Sequence, residues 1–354
     1  MKIADLEFYL LDSSRGGLDP ARGGPTAGRS LLARLSTADG RSGWGESKTA
    51  WRANEIAARR AAMLPLLAGH NAYNIEELLE IEAVAPSPAR AAIEMACWDL
   101  VARSAGQPLY RLWGGEYRPR VPLAIRLPAV EPERAAQLAH DLAARGFQTH
   151  VVRARGNVEE DLAVVTAVRQ AIGDRLSLRF DGYGLFSAED ARDLARKLEP
   201  YGLQFFLDPL ATGIDGFASL ARQTAVPLAA SASIHSPADV LALARSGAAP
   251  HVEIDIAQVG GLWPARKCAI VAAAAKLPIT LGGAGGLGVG LLAALQLAAS
   301  TPNVALPLAC ESYQLHEDVL QGDLQVVDGM IAIPQGPGLG MEVDRARIDT
   351  YLVD

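Results

Sequence analysis

From about residue 2 to residue 47 apolar and polar positions alternate, as in Ile3-Ala4-Asp5-Leu6-Glu7-Phe8-Tyr9-Leu10 and Leu31-Leu32-Ala33-Arg34-Leu35-Ser36. That alternation predicts half-buried antiparallel strands, whose side chains point to opposite faces in turn. Ala38-Asp39-Gly40 supplies a turn. Residues 13–30, rich in Gly, Pro and Ser, are too long for a tight hairpin and read as a flap or an ordered functional loop. From Asn54 to about Gly106 the pattern is helical; 89–105 is apolar on several faces, and Gly106-Gln107-Pro108 ends the run. The first 118 residues therefore read as a small α+β domain.

From Val121 the texture changes to short β-like runs separated by alanine-rich helical stretches. Strands are predicted at 121–127, 150–155, 176–181, 205–208, 228–232, 252–256, 279–281 and 309–311, and helices at 133–145, 159–172, 188–198, 238–245 and 264–275. Units of about thirty residues are the length of a βα repeat, and eight strands suit a closed barrel. A doubly wound sheet would need a topological switch point that this even repetition does not suggest. The predicted fold class is thus α/β, a TIM-like barrel over 119–320, with a segment 321–354 that turns strand-like again and returns to the first domain.

Composition narrows the function. Among 354 residues, 50% hydrophobic and 21% charged is ordinary globular composition, and a net charge of −7 with no Lys/Arg-rich block argues against a nucleic-acid partner. Cys97, Cys268 and Cys310 lack CxxC spacing and sit in apolar runs, so they read as reduced core thiols of a cytoplasmic protein. No stretch reaches the roughly 18 apolar residues of a membrane span, and acids at Asp5 and Glu7 interrupt any secretory signal. A soluble, unprocessed protein without a membrane partner is expected.

In a barrel of this kind reactive groups stand at the C-terminal ends of the strands, where the loops form a cavity above the packed interior. The residues there are Arg153-Ala154-Arg155, Asp181-Gly182-Tyr183, Asp208-Pro209, Ser231-Ala232-Ser233 with His235 beyond, Asp255, and Glu311. Arg153 and Arg155, two apart on a strand, share a face and suit an anion, or else each pairs with a neighbouring acid. Asp181 and Asp255 end apolar strands where unpaired acids are rare, although either can cap a helix. The segment from Gly282 to Gly290 contains GxGxxG at Gly283, Gly285 and Gly288, but it follows a late strand rather than the first and its next acid is Glu311, so it is not read as a dinucleotide fingerprint. Its amides can hold a carboxylate or phosphate at a helix N-terminus, or the glycines simply make a close-packed turn.

Several stretches together carry a family resemblance: Gly43-Trp44-Gly45-Glu46-Ser47, the run from Ala89 to Leu100, Gly106-Gln107-Pro108 with Leu112-Trp113-Gly114-Gly115, Val259-Gly260-Gly261, and Gly336-Pro337-Gly338-Leu339-Gly340. On these, the chain resembles the mandelate racemase/muconate lactonizing branch of the enolase superfamily over essentially its full length. The resemblance implies an α+β capping domain on a modified (β/α)7β barrel. It also implies a magnesium ion on three barrel carboxylates that stabilises an enolate while a lysine or an Asp-His pair moves the proton.

The chemical motifs depart from that pattern. Arg153-Ala154-Arg155 stands where the family has Lys-x-Lys, and arginine is a poor general base. Asp181 matches the first metal ligand, with Tyr183 where an Asn is usual. Leu207-Asp208-Pro209 replaces Glu-Gln-Pro, and Ser231-Ala232 replaces Asp-Glu. Asp208, one residue off, is expected on the opposite face. Asp255 takes the racemase-branch aspartate position, while its histidine partner is replaced by Gly282; Glu311 matches a substrate-touching acid. With one of three ligands left, no tight magnesium site and no other cofactor is expected, magnesium only if ligands such as Asp208 are relocated.

The resulting expectation is racemisation, isomerisation or elimination on a small-molecule carboxylate. Asp255 is the acid/base group, Arg153 and Arg155 hold the anion, and Tyr183 is a second proton carrier. Ser231, Ser233, Gly282, Gly283, Glu311, Trp51 and Arg52 are candidate substrate contacts, and Arg15, Arg22 and Arg29 also hint at an anionic ligand. Two alternatives stay open: a non-catalytic carboxylate-binding or structural relative, and a magnesium enzyme with relocated ligands. By the resemblance a homo-oligomer is expected.

Overall fold

The computed structural model describes residues 1–12, 28–81, 84, 88–283, 287–310 and 318–353. Most of the predicted loop at 13–30, with Arg15 and Arg22, and also Glu311, lie outside the described residues.

Strands β1 (Ile3–Asp12), β2 (Arg29–Thr37) and β3 (Ser42–Lys48) form an antiparallel sheet in that order, followed by helices α1 (Ala53–Leu67), α2 (Ile75–Leu79), α3 (Pro88–Ser104) and α4 (Leu109–Leu112). Helix α3 carries apolar residues on several faces because it is covered on both sides. Ala92, Ile93, Ala96 and Leu100 pack into the capping-domain core, whereas Ala91, Met95 and Ala102 join the barrel core. The helix lies so close to β3 that a Cβ on Gly43 would come within 2.6 Å of Leu100 N, and one on Gly45 within 2.7 Å of Ala96 N.

The barrel strands are β4 (Arg120–Arg126), β5 (Thr149–Arg153), β6 (Ser177–Asp181), β7 (Phe205–Leu207), β8 (Leu228–Ala230), β9 (His251–Asp255), β10 (Ile279–Gly282) and β11 (Leu308–Cys310). Between them run α5 (Pro132–Ala144), α6 (Val158–Ile172), α7 (Ala188–Leu198), α8 (Ile214–Ala221), α9 (Pro237–Ser246), α10 (Leu262–Ala274) and α11 (Gly288–Ser300). Neighbours from β4 to β10 are parallel, β11 pairs with β4, and a bridge between Ile279 and Val304 joins β10 to the segment leading into β11. The ring closes as (β/α)7β. Helices α8 and α11 escape a periodicity reading for different reasons: α8 is short, and α11 is apolar on every face.

The final segment divides. A hairpin of β12 (Val326–Val327) and β13 (Met330–Ala332) pairs antiparallel with the start of β4, and α12 (Arg345–Tyr351) leads to Val353, whose N–H donates to Leu10 O at 2.9 Å. Among the described residues no helix is long and apolar enough to cross a membrane.

Two buried carboxylates of the capping domain, Glu94 and Glu46, lock it to the barrel, and two more, Asp318 and Asp99, brace the elements around that junction. Glu94 on α3 accepts from the N–H groups of Leu262 at 2.7 Å and Trp263 at 2.8 Å, capping α10. Glu46 on β3 accepts from Leu287 N at 2.7 Å and Gly290 N at 2.8 Å, and Asp318 from Gly288 N at 2.9 Å, capping α11. Asp99 accepts from Trp44 N at 2.9 Å and Leu339 N at 2.8 Å, tying the sheet to the glycine-rich end of the chain. Helix N-termini present unpaired N–H groups and the positive end of a dipole, so each acid supplies what the helix start lacks. Of the signature residues named above, Glu46, Glu94, Gly260 and Gly261 lie at the interdomain seam, while Gly43 and Gly45 seat α3 against β3 within the capping domain.

Burial pushes the Glu94 carboxyl up to about 7 against the hydrogen bonds that favour its charge, and Asp318 likewise to about 7. The folded chain thus holds these protons above the ordinary 4.5 and 3.8 of the unfolded chain. Their stabilising contribution is full below those ordinary values and is lost as pH rises through about 7. Burial pushes His150 down to about 4, an effect of opposite sign felt below its ordinary 6.5. Comparing wild type with Glu94→Gln between about pH 6 and 8 isolates the carboxyl. Wild type is expected to lose more melting temperature than the variant over that window, and parallel curves would refute the assignment.

Candidate active site

The period-two alternation of the strands sorts the barrel wall. Val152, Phe180, Phe206, Ala230, Val252, Ile254 and Leu281 face the helices and belong to the main apolar core. On the other face Arg153, Asp181, Leu207, Ala229 and His251 stand side by side across β5 to β9. Arg179, Glu253 and Asp255 share that inner face by the same alternation, with Gly282 beside Asp255 and Arg126 beside Val151. The barrel wall is apolar outside, and inside it combines these charged groups with an apolar patch of Phe205, Leu207 and Ala229.

At its centre is Arg126, at the end of β4. Its Nη2 donates to Glu253 Oε1 at 3.1 Å and lies 3.5 Å from Asp181 Oδ2. Glu253 is buried, and burial raises its carboxyl above the usual range, while Arg126 opposes that rise. Asp181 is also buried and accepts from Tyr183 N–H at 3.0 Å on its other oxygen. Beneath them Arg179 packs on the Phe205 ring at 4.7 Å and donates to Gln204 Oε1 at 2.7 Å and Pro307 O at 3.1 Å. Burial pushes this guanidinium down to about 10.

Two glycines make room for acids. A Cβ on Gly282 would meet Glu253 Oε1 at 2.7 Å, and one on Gly283 would overlap the Asp255 carboxylate. Asp255 is half-buried, and its Oδ1 accepts from Gln258 N–H at 3.0 Å. The Gln258 side chain donates to Ser231 O at 2.9 Å and Ile234 O at 2.8 Å, steadying the loop after β8. Further along, the amides of Leu287, Gly288 and Gly290 are engaged by Glu46 and Asp318, so the protein's own carboxylates occupy this helix N-terminus.

Two expectations about facing need correction. Strand β5 ends at Arg153, so Arg153 and Arg155 do not share a strand face; the Arg155 guanidinium pairs at the rim with Glu131 at 3.1 Å and Glu160 at 3.9 Å. Arg153 instead stacks on the exposed Tyr183 ring, 3.9 Å from its centroid. Asp208 does not turn away from the site. Strand β7 stops at Leu207, and Asp208 takes a left-handed φ of +42°, where alternation no longer applies. Its Oδ1 accepts from Ser231 N at 2.8 Å and its Oδ2 from Ala232 N at 3.0 Å. Burial pushes the Asp208 carboxyl up to about 7, with the charges of Asp181 and Glu253 adding to the rise.

The other predicted residues are dispersed. Ser231 is buried at the end of β8 and the Ser233 hydroxyl is buried close by. Trp51 lies in the capping-domain core, edge-on to Phe8 at 5.7 Å and under Arg59 at 4.3 Å, and Arg52 begins α1 with its N–H donated to Glu55 at 2.7 Å. Arg126, Arg179 and Glu253 were not predicted. Glu253 and Asp255 alternate in an otherwise apolar strand, so the period-two rule applied to the arginines would have found them.

This donor set does not suit the divalent ion that the family resemblance implies. A magnesium ion demands an octahedron of oxygens at about 2.1 Å. Asp181 is engaged on both oxygens, by Tyr183 N–H and Arg126, and the buried Leu207 side chain offers no ligand. Asp208 is turned onto two amides. Among the described residues no three His, Cys, Asp or Glu side chains form a group that would hold a metal ion.

Comparison with known proteins adds family context. Residues 133–347 match the family described as "Enolase C-terminal domain-like", and residues 20–114 match "Mandelate racemase / muconate lactonizing enzyme, N-terminal domain". The o-succinylbenzoate synthase of Geobacillus kaustophilus is 31% identical over 338 residues, 91% of this chain and 88% of that protein. The N-succinyl-L-Arg/Lys racemase of Bacillus cereus is 26% identical over 336 residues, 92% of this chain and 90% of that one. The crystal structure of the N-succinyl Arg/Lys racemase from Bacillus cereus superposes with a TM-score of 0.89, covering 100% of this chain and 99% of that chain at 24% sequence identity.

Proposed function

Since the chain belongs to the mandelate racemase/muconate lactonizing branch of the enolase superfamily, we propose that it performs acid/base chemistry at the carbon next to the carboxylate of a small molecule. Asp255 takes and returns the proton. The observation that carries this reading is the seat of Asp255: Gly283, where any Cβ would overlap it, leaves its half-buried carboxylate at the open end of the barrel, steadied by Gln258 N–H. A carboxylate so oriented can approach a substrate C–H, provided that carbon is made acidic by nearby positive charge.

Arg153, oriented by Tyr183 stacking, is the group proposed to receive the substrate carboxylate. Arg155, neutralised at the rim by Glu131 and Glu160, has no direct part in this reading. The relatives named a racemase and an o-succinylbenzoate synthase support racemisation or elimination of this general kind.

A second reading, a carboxylate-binding protein without turnover, draws on the ion pairs that Arg126 makes with Glu253 and Asp181 inside the barrel. The two part in one experiment. N-acylated amino acids and other small carboxylates are incubated in deuterium oxide, and exchange of the proton next to the carboxylate is followed by NMR. Enzyme-dependent exchange is expected for at least one class; binding without exchange across the panel would favour the second reading.

A further inference from the structure

We infer that Arg126 is the resident cation of this barrel, its guanidinium standing among the acids where the family's other members are expected to hold a divalent ion. This concerns the source of positive charge in the proposed function, and its test is a binding measurement in which Asp255 takes no part.

Arg126 Nη2 reaches Glu253 Oε1 and Asp181 Oδ2 at 3.1 and 3.5 Å. Asp181 stands at the first metal-ligand position, so the cationic head lies within ion-pair distance of the carboxylate that a metal would need. A divalent ion and a guanidinium cannot share that space: one requires direct oxygen ligands at about 2.1 Å, the other already stands within ion-pair distance of the same carboxylate.

Supporting residues conform to this arrangement. Gly282 leaves the space into which Glu253 extends, since any Cβ there would collide with Oε1 at 2.7 Å. Leu207, at the second ligand position, packs with Phe205 and Ala229 in the apolar floor of the barrel. Ser231 carries no charge at the third position, and its N–H anchors Asp208. A buried carboxylate left without a cation is costly, so an inner wall carrying Asp181 and Glu253 demands a positive group, which Arg126 provides covalently. A guanidinium stays charged at any working pH and cannot be removed by a chelator.

The test uses Mn2+ as its probe and protein first treated with EDTA. Binding is read from loss of the free-ion electron paramagnetic resonance signal, and melting is followed with and without the ion. Wild type is expected to bind no stoichiometric Mn2+ and to melt at the same temperature in its presence. Arg126→Ala is expected to melt roughly 5–10 °C lower and to recover part of that loss with Mn2+, through a site that Asp181→Asn in the same chain removes. Should Arg126→Ala fail to fold, Arg126→Lys serves in its stead: it keeps the charge and is expected to ignore Mn2+ as wild type does. Stoichiometric Mn2+ on wild type that Asp181→Asn abolishes would overturn the inference. So would an Arg126→Ala protein that is as stable as wild type and indifferent to the ion.

Discussion

An Asp255→Asn protein is expected to fold like wild type and to lose proton exchange on any responsive carboxylate by roughly 10²–10⁴-fold, the usual worth of a general acid or base. The substitution is nearly isosteric, and the amide oxygen can still accept from Gln258 N–H, as Asp255 Oδ1 does at 3.0 Å. What disappears is the capacity to take a proton. The loss should fall on kcat rather than KM, because the substrate carboxylate is assigned to Arg153. A variant with undiminished exchange would remove Asp255 from the mechanism. One with raised KM and unchanged kcat would reassign it to binding.

The largest structural effect is expected at Gly45. A Cβ there would lie within 2.7 Å of both Ala96 N and Met95 Cβ, and nearer still to Ala92 O. These atoms belong to α3, itself held by the barrel through Glu94 and by β3 through Asp99. The helix cannot retreat without opening the interdomain seam, so Gly45→Ala should cost at least about 3 kcal/mol, at the upper end of overpacking penalties. Gly40→Ala is the control: φ is +84° but nothing lies within 4 Å of its Cβ, so only the backbone conformation is penalised, by about 1 kcal/mol. Urea midpoints of the two variants measure the difference. Equal losses would mean that the close approach of sheet and helix is not what the glycine serves.

The capping strands were legible because alternation of apolar and polar residues is a local property of one half-buried sheet. The eight barrel strands were legible through their spacing. Helix α11 was not, since an apolar residue on every face carries no period, and α3 has apolar residues on several faces for the reason that two cores claim it. The family signature was readable as residues, yet its physical meaning was not: Glu46, Glu94 and Asp99 act on backbone amides between 55 and 244 positions away. No local pattern encodes such a partner.

At the site the same division holds residue by residue. The sequence by itself determined which chemical groups end the barrel strands: Arg153, Asp181, Ser231, Asp255 and the glycines after β10. By the family resemblance, Leu207 and Ser231 are expected where other members carry carboxylates. Tertiary structure alone decided where the charges meet. Strand β5 ends one turn of the alternation early, sending Arg155 to Glu131, and a left-handed backbone at Asp208 brings that acid back toward Asp181. Closing the ring then brings Arg126 on β4 to Glu253 on β9, 127 residues apart. The alternation rule holds only while the chain remains a strand, and an ion pair across a closed barrel depends on the curvature of the whole sheet, which no stretch of sequence contains.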